Sequence, residues 1–193
     1  MFIEKIKTYQ PKTTQEKKDQ QAMLNFIQTH KNSLYRDNQI AHVTASAIVT
    51  DESLQYVLFA YHKIYDSWAW LGGHNDGEAD LLKVAIKEAK EESGLKSIKP
   101  YSNDIIALDI IGVQNHIKNG EYVPDHLHLN VTFLLIANKN DPLKIKPDEN
   151  TGVKWFKIDE VLSYVTEDRM KPIYKKIFHE INTLAQRREA NHG

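Results

Sequence analysis

The stretch Gly72-Gly73-His74-Asn75-Asp76-Gly77-Glu78-Ala79-Asp80-Leu81-Leu82-Lys83-Val84-Ala85-Ile86-Lys87-Glu88-Ala89-Lys90-Glu91-Glu92-Ser93-Gly94-Leu95 decides how this chain folds. A glycine-rich loop leaves the strand-like run Trp68–Leu71 and opens into a helical pattern from Ala79 to about Ser93. Leu81, Leu82, Ala85 and Ala89 supply its apolar face, and Gly94 ends it at a C′ position. Residues three and four apart share a helix face, so Glu88, Glu91 and Glu92 point the same way. Three carboxylates there repel one another. Taken alone they read as a solvated acidic face, with Lys83, Lys87 and Lys90 as partners. A hard divalent cation reverses that sign, because carboxylate oxygens are what Mg²⁺ and Mn²⁺ prefer. Gly72, Gly73 and Gly77 allow backbone to approach a bulky anion, and the helix N-terminus favours negative charge. Metal and phosphate on one loop–helix unit point to hydrolysis of a phosphoanhydride.

Outward from this unit, Ala41–Thr50 and Leu54–Tyr61 are β-rich runs joined by a polar turn. Ile105–Ile117 and His126–Ala137 are two long strands, and Val153–Lys157 is a short one. Asp159–Val165 begins a helix and Lys171–Arg188 forms a long amphipathic one. The pattern predicts an α+β fold with helices on a mixed sheet. Ahead of it, residues 1–37 read as a helical extension to a domain spanning 38–193. Its helix covers Thr13 to His30, with a capping box at Thr13–Glu16 and little apolar content. Such a helix packs on a surface or on a second subunit, so a homodimer contact is one reading of it and the oligomeric state stays open.

Composition sets the outer limits. The chain has 193 residues, 41% of them hydrophobic, enough for one substantial core. Lys and Arg total 25 against 26 for Asp and Glu, so a strongly basic nucleic-acid binder is disfavoured. No apolar run approaches the ~18 residues of a membrane span, and no signal peptide is visible. Cysteine is absent, which removes thiolate catalysis and Cys-based metal sites and gives a cytoplasmic default.

The 72–95 segment resembles the signature box of the Nudix hydrolases: Gly, five residues, Glu, seven residues, Arg-Glu, an aliphatic, any residue, Glu-Glu, any residue, Gly, aliphatic. Glu88 to Leu95 matches its second half, and Gly73 stands fifteen residues before Glu88. The likeness extends over about residues 40–165. It implies an α/β/α sandwich and an Mg²⁺- or Mn²⁺-dependent cleavage of a diphosphate linkage in a nucleoside diphosphate joined to another group. It also implies Glu88, Glu91 and Glu92 as metal ligands, with Glu91 or Glu92 alternatively acting on the attacking water, and a Gly72 carbonyl near the ion. A general base from a separate loop fits Glu149, which reads equally as a solvated loop acid. Two departures stand out. The family's Arg is Lys87 here, which lacks the planar fork. Ala79 occupies the place of the first Glu, and Glu78 sits one residue early, within reach of a Lys87 contact.

His126, His128, Asn130 and Thr132 alternate along one strand face, and His74 lies in the glycine loop. These imidazoles read either as contacts to substrate phosphate, or metal with His116, or as one wet face of a sheet. A dedicated His-type zinc site ranks below the carboxylate trio. Trp68 or Trp70 could stack on a base or cover the sheet, and Trp155 reads as core. The rival to a hydrolase is a catalytically inactive Nudix-fold sensor that binds a small-molecule nucleotide. An allylic-diphosphate isomerase is disfavoured by the absence of Cys.

Overall fold

The structure is a computed structural model describing residues 2–118 and 120–192. Helices α1 (Phe2–Thr8) and α2 (Thr14–Thr29) precede strands β1 (Ala41–Thr50), β2 (Tyr56–His62), β3 (Ser67–Ala69) and β4 (Leu71–His74). Helix α3 (Leu81–Ser93) follows, then β5 (Ile98–Val113), a hairpin of β6 (His116–Lys118) and β7 (Glu121–Val123), β8 (His126–Ala137), β9 (Asn150–Lys157) and α4 (Lys171–His192). Among the described residues the main sheet runs β3-β2-β1-β8-β5, with β4 paired to β1 and β9 to β2. The α+β expectation holds, and β1 and β8 fall where the β-rich run and the alternating pattern placed them.

Three local readings change. The glycine segment begins as strand: Leu71 to His74 is β4, and only the residues after it form a turn. Helix α3 starts at Leu81, because Asp80 Oδ1 accepts from the Lys83 N–H at 3.1 Å and caps it. The expected helix after Asp159 shrinks to a single 3₁₀ turn, Val161–Ser163.

The chain forms two compact units. One comprises Met1–Ser46, Gly72–Ala85 and Asn103–Phe133; the other comprises Ala47–Leu71, Ile86–Ser102 and Leu134–Gly193. In the first, α1 and α2 dock on the 103–113 part of β5. Thr13 Oγ1 accepts from Glu16 N–H at 3.1 Å, and the Glu16 carboxylate accepts from Lys12 N–H at 2.8 Å. This fixes the start of α2 as the capping pattern predicted. Met23 and Ile27, one turn apart, are buried, as is Ile6 of α1. Gln20 Nε2 donates to the carbonyls of Ile6 and Tyr9, tying the two helices together. Asp19 accepts from the Ile110 N–H at 2.9 Å, and Lys12 Nζ donates to the Ile106 carbonyl at 3.1 Å. The bonds from α2 to β5 are thus polar, from Gln15 to Asp109 and from the Ile110 N–H to Asp19.

In the second unit, β2 pairs antiparallel with β3 and β9, with Ala60 opposite Ala69 and Val57 opposite Phe156. Helix α4 turns Tyr174, Ile177 and Ile181 inward, each fully buried. Tyr174 packs on Phe59 at 5.0 Å between centroids, and its hydroxyl accepts from the Trp70 N–H at 3.4 Å. Trp68 sets its edge against Phe156 at 4.9 Å. Trp155 is only half-buried, and the adjacent Phe156 is the core residue of β9.

Candidate functional site

The carboxylates come first, because the helix register determines where they point. On α3 the inward stripe runs Leu81, Ala85, Ala89 and Glu92. Glu88 and Glu92 are one turn apart on that side. The Glu92 residue is 2% exposed, whereas the Glu91 side chain, rotated outward, is 40% exposed. The structure divides the trio accordingly. Glu88, Glu92 and Glu149 each present a carboxylate oxygen, and these lie within 4.8 Å of one another. Glu91 stands aside, with its oxygens at 3.2 Å from Lys87 Nζ and 3.3 Å from Lys146 Nζ. Lys87 also reaches Glu88 at 2.9 Å, and Glu78 pairs with Lys83.

Glu149 arrives here through the C-terminal end of α3. A helix leaves its last carbonyls without helical partners. The Lys144 N–H donates to the Ser93 carbonyl at 2.8 Å, and the buried Asn150 Nδ2 donates to the Glu92 carbonyl at 3.0 Å. Asn150 Oδ1 in turn accepts from the Lys146 N–H at 3.3 Å, closing the turn that carries Glu149. Gly94 makes this approach possible. Its φ is +73°, and a Cβ there would lie 2.6 Å from Lys144 Cβ. Asn150 and Lys146 were not read from the sequence. Their only signal was their position just before a strand, which is common to many loop residues.

Lys146 joins the acids electrically. Burial lowers its pKa, but the 2.9 Å bond to Glu149, the Glu149 charge, the bond to Glu91 and the Glu88 charge outweigh it and leave it raised. For Glu91, burial raises the pKa, and the bonds from Lys87 and Lys146 bring it below the ordinary value.

A second cluster is built on β1 and β8. The polar face read on β8 is not wet: His126, Asn130 and Thr132 are buried, and His128 is partly so. It meets an equivalent face of β1, His42, Thr44 and Ser46, all buried. Thr44 and Ser46 hydroxyls each donate to Asn130 Oδ1 at 2.9 Å. His42 lies 5.1 Å, centroid to centroid, from His74, His126 and His128. His42 was missed from the sequence, although the alternation His42-Val43-Thr44-Ala45-Ser46 carried the same period-two signal as β8. Burial first, then the neighbouring charges, push the pKa of His74 down to about 3, and burial lowers His42 and His128 as well.

The glycines have packing reasons. A Cβ on Gly72 would lie 2.6 Å from Ser46 Cα, and one on Gly77, where φ is +92°, would lie 2.6 Å from the Tyr35 hydroxyl oxygen. The chain itself fills the space that those two missing side chains leave.

The NUDIX domain model matches residues 41–181, and the chain belongs to the NUDIX family. Its members are hydrolases of nucleoside diphosphates linked to other groups and generally use divalent metal ions. The fold is similar to that of a C. elegans Ap4A hydrolase, with a TM-score of 0.54 and 15% identity over 73% of this chain and 98% of the other. It is similar also to the E. coli dihydroneopterin triphosphate pyrophosphohydrolase, with a TM-score of 0.54 and 12% identity over 73% and 95%. A Nudix hydrolase from M. smegmatis gives 0.52 and 13% over 75% and 86%. No curated protein sequence matches the chain. Among the described residues no helix is long and apolar enough to cross a membrane.

Proposed function

We propose that this protein is an Mg²⁺- or Mn²⁺-dependent diphosphatase acting on a nucleoside diphosphate linked to another group. The observation that carries this reading is the gathering of Glu88, Glu92 and Glu149 within 4.8 Å. Like charges held this close repel one another, and a nearly inaccessible Glu92 adds a desolvation cost. An all-oxygen acidic set fits a hard divalent cation and not a soft one. Bound there, the ion would supply positive charge to the phosphates and acidify a water.

The chain's own groups do the rest. Glu88 and Glu92 hold the ion from one helix face. Glu149 takes the proton of the attacking water as that oxygen bonds to phosphorus and the bridging P–O bond breaks. Lys146 orients Glu149 through its 2.9 Å ion pair, and Glu91 holds Lys146 from the other side. Lys87, standing in for the family's Arg, steadies Glu88.

A panel of nucleoside diphosphate derivatives, incubated with Mg²⁺ and with Mn²⁺ and read by release of phosphate-containing products, tests this. Wild type should turn over at least one class, and Glu92→Gln should lose that activity while melting as a folded protein. Undiminished turnover by the variant would overturn the assignment.

A further inference from the structure

We propose that His42, His74 and His128 form a second metal site, distinct in chemistry from the acidic one and suited to a borderline transition-metal ion such as Zn²⁺. The donor atoms of these three imidazoles lie within 4.8 Å of one another. Two nitrogens bound at about 2.05 Å in a tetrahedron stand about 3.3 Å apart, so small side-chain rotations close the set.

The hydrogen bonds already present the right lone pairs. His42 Nδ1 is 3.0 Å from the Asn38 carbonyl, which can only accept, so Nδ1 carries the hydrogen. That leaves Nε2 as a lone-pair donor in the neutral ring. Nε2 is buried with no hydrogen-bond partner, in a residue 4% exposed and surrounded by imidazoles. A buried acceptor left unpaired is costly, and a bound cation would satisfy it. His126 repeats the arrangement: its Nδ1 sits 2.8 Å from the Pro124 carbonyl. Its Nε2 is 3.2 Å from His128 Nε2, near enough to fix the His128 ring or to enter as a fourth ligand. Backbone carbonyls that orient ligating imidazoles in this way are the usual outer shell of histidine metal centres. Three nitrogens and no carboxylate select imidazole-loving metals over Mg²⁺. With His126 outside the set, the ion keeps an open position for a water or an anionic oxygen. Thr44, Ser46, Asn130 and Thr132 bond one another further along the same strands and do not compete for it.

The test is titration of the full chain with Co²⁺ and with Zn²⁺ in excess Mg²⁺, which occupies the carboxylates. Wild type should develop the intense visible bands of four-coordinate Co²⁺, and Zn²⁺ should displace them stoichiometrically. Outer-shell changes alone cost about 10–100-fold in metal affinity, so losing a ligand in His74→Asn or His128→Asn should weaken Zn²⁺ at least about 100-fold. Glu92→Gln should leave it unchanged. X-ray absorption on Zn²⁺-loaded wild type, which needs no variant to fold, should show imidazole nitrogens at about 2.0–2.1 Å. Absent bands, an oxygen-only shell, or bands lost in Glu92→Gln and kept in His74→Asn would overturn the site.

Discussion

At the scale of single residues, the two clusters respond to substitution in opposite ways. Glu92 is buried beside two other carboxylates, so Glu92→Gln should abolish metal-dependent hydrolysis, by about 100-fold or more, given what even outer-shell changes cost a metal site. The same change removes like-charge repulsion and should not lower the melting temperature of the metal-free chain; a fall of several degrees would count against the burial argument. His74 titrates at about 3 in the fold and near 6.5 when unfolded. Between those values the unfolded chain binds more protons, so stability rises with pH through that window and falls on acidification from pH 6.5 towards 3. The slope for this group is at most about 1.4 kcal/mol per pH unit. Denaturant melts of the chelator-treated protein at pH 7, 6 and 5 should show the loss, and His74→Gln should flatten the curve. The same ring was visible in the sequence, but its low pKa was not, because burial is a property of what packs around it.

At the scale of elements, the join between α3 and β9 matters most. Asn150 links the Glu92 carbonyl to the turn that presents Glu149. Asn150→Leu removes both of these buried bonds, a cost of about 1–3 kcal/mol. It should also reduce turnover with little change in KM, since the turn carries the proposed base. Equal rates in Asn150→Leu and wild type would mean that the turn does not position Glu149. Gly94→Ala forces a side chain into left-handed backbone and against Lys144, and should destabilise by about 1–3 kcal/mol by chemical denaturation. Sequence reading found Gly94 and the helix end, since helix stop signals are local. It could not pair that end with residues 144–150, fifty positions on.

At the scale of the whole molecule, residues 1–37 belong to a compact unit with residues from the middle of the chain. Ile6 and Met23 are fully buried, each contributing about 1.5–3 kcal/mol, and Tyr9, Lys12 and Asp19 bond to β5. Deleting residues 1–37 should therefore lower the melting temperature by more than 5 °C and expose an apolar strand, with aggregation as the visible result. A truncated chain that melts with the full-length protein would show the helices to be a detachable appendage.

The sequence by itself determined most of the long helices and strands, the alternation along β8, the helix stop at Gly94 and the acidic run at 88–92. Each of these depends on neighbours within a few residues, where helix and strand periods act directly. Which acids meet was decided only in three dimensions: helix rotation turned Glu91 to its lysines, and capping bonds delivered Glu149. The imidazole cluster likewise required β1 beside β8, a sheet pairing between segments far apart in the chain, which local periodicity does not encode.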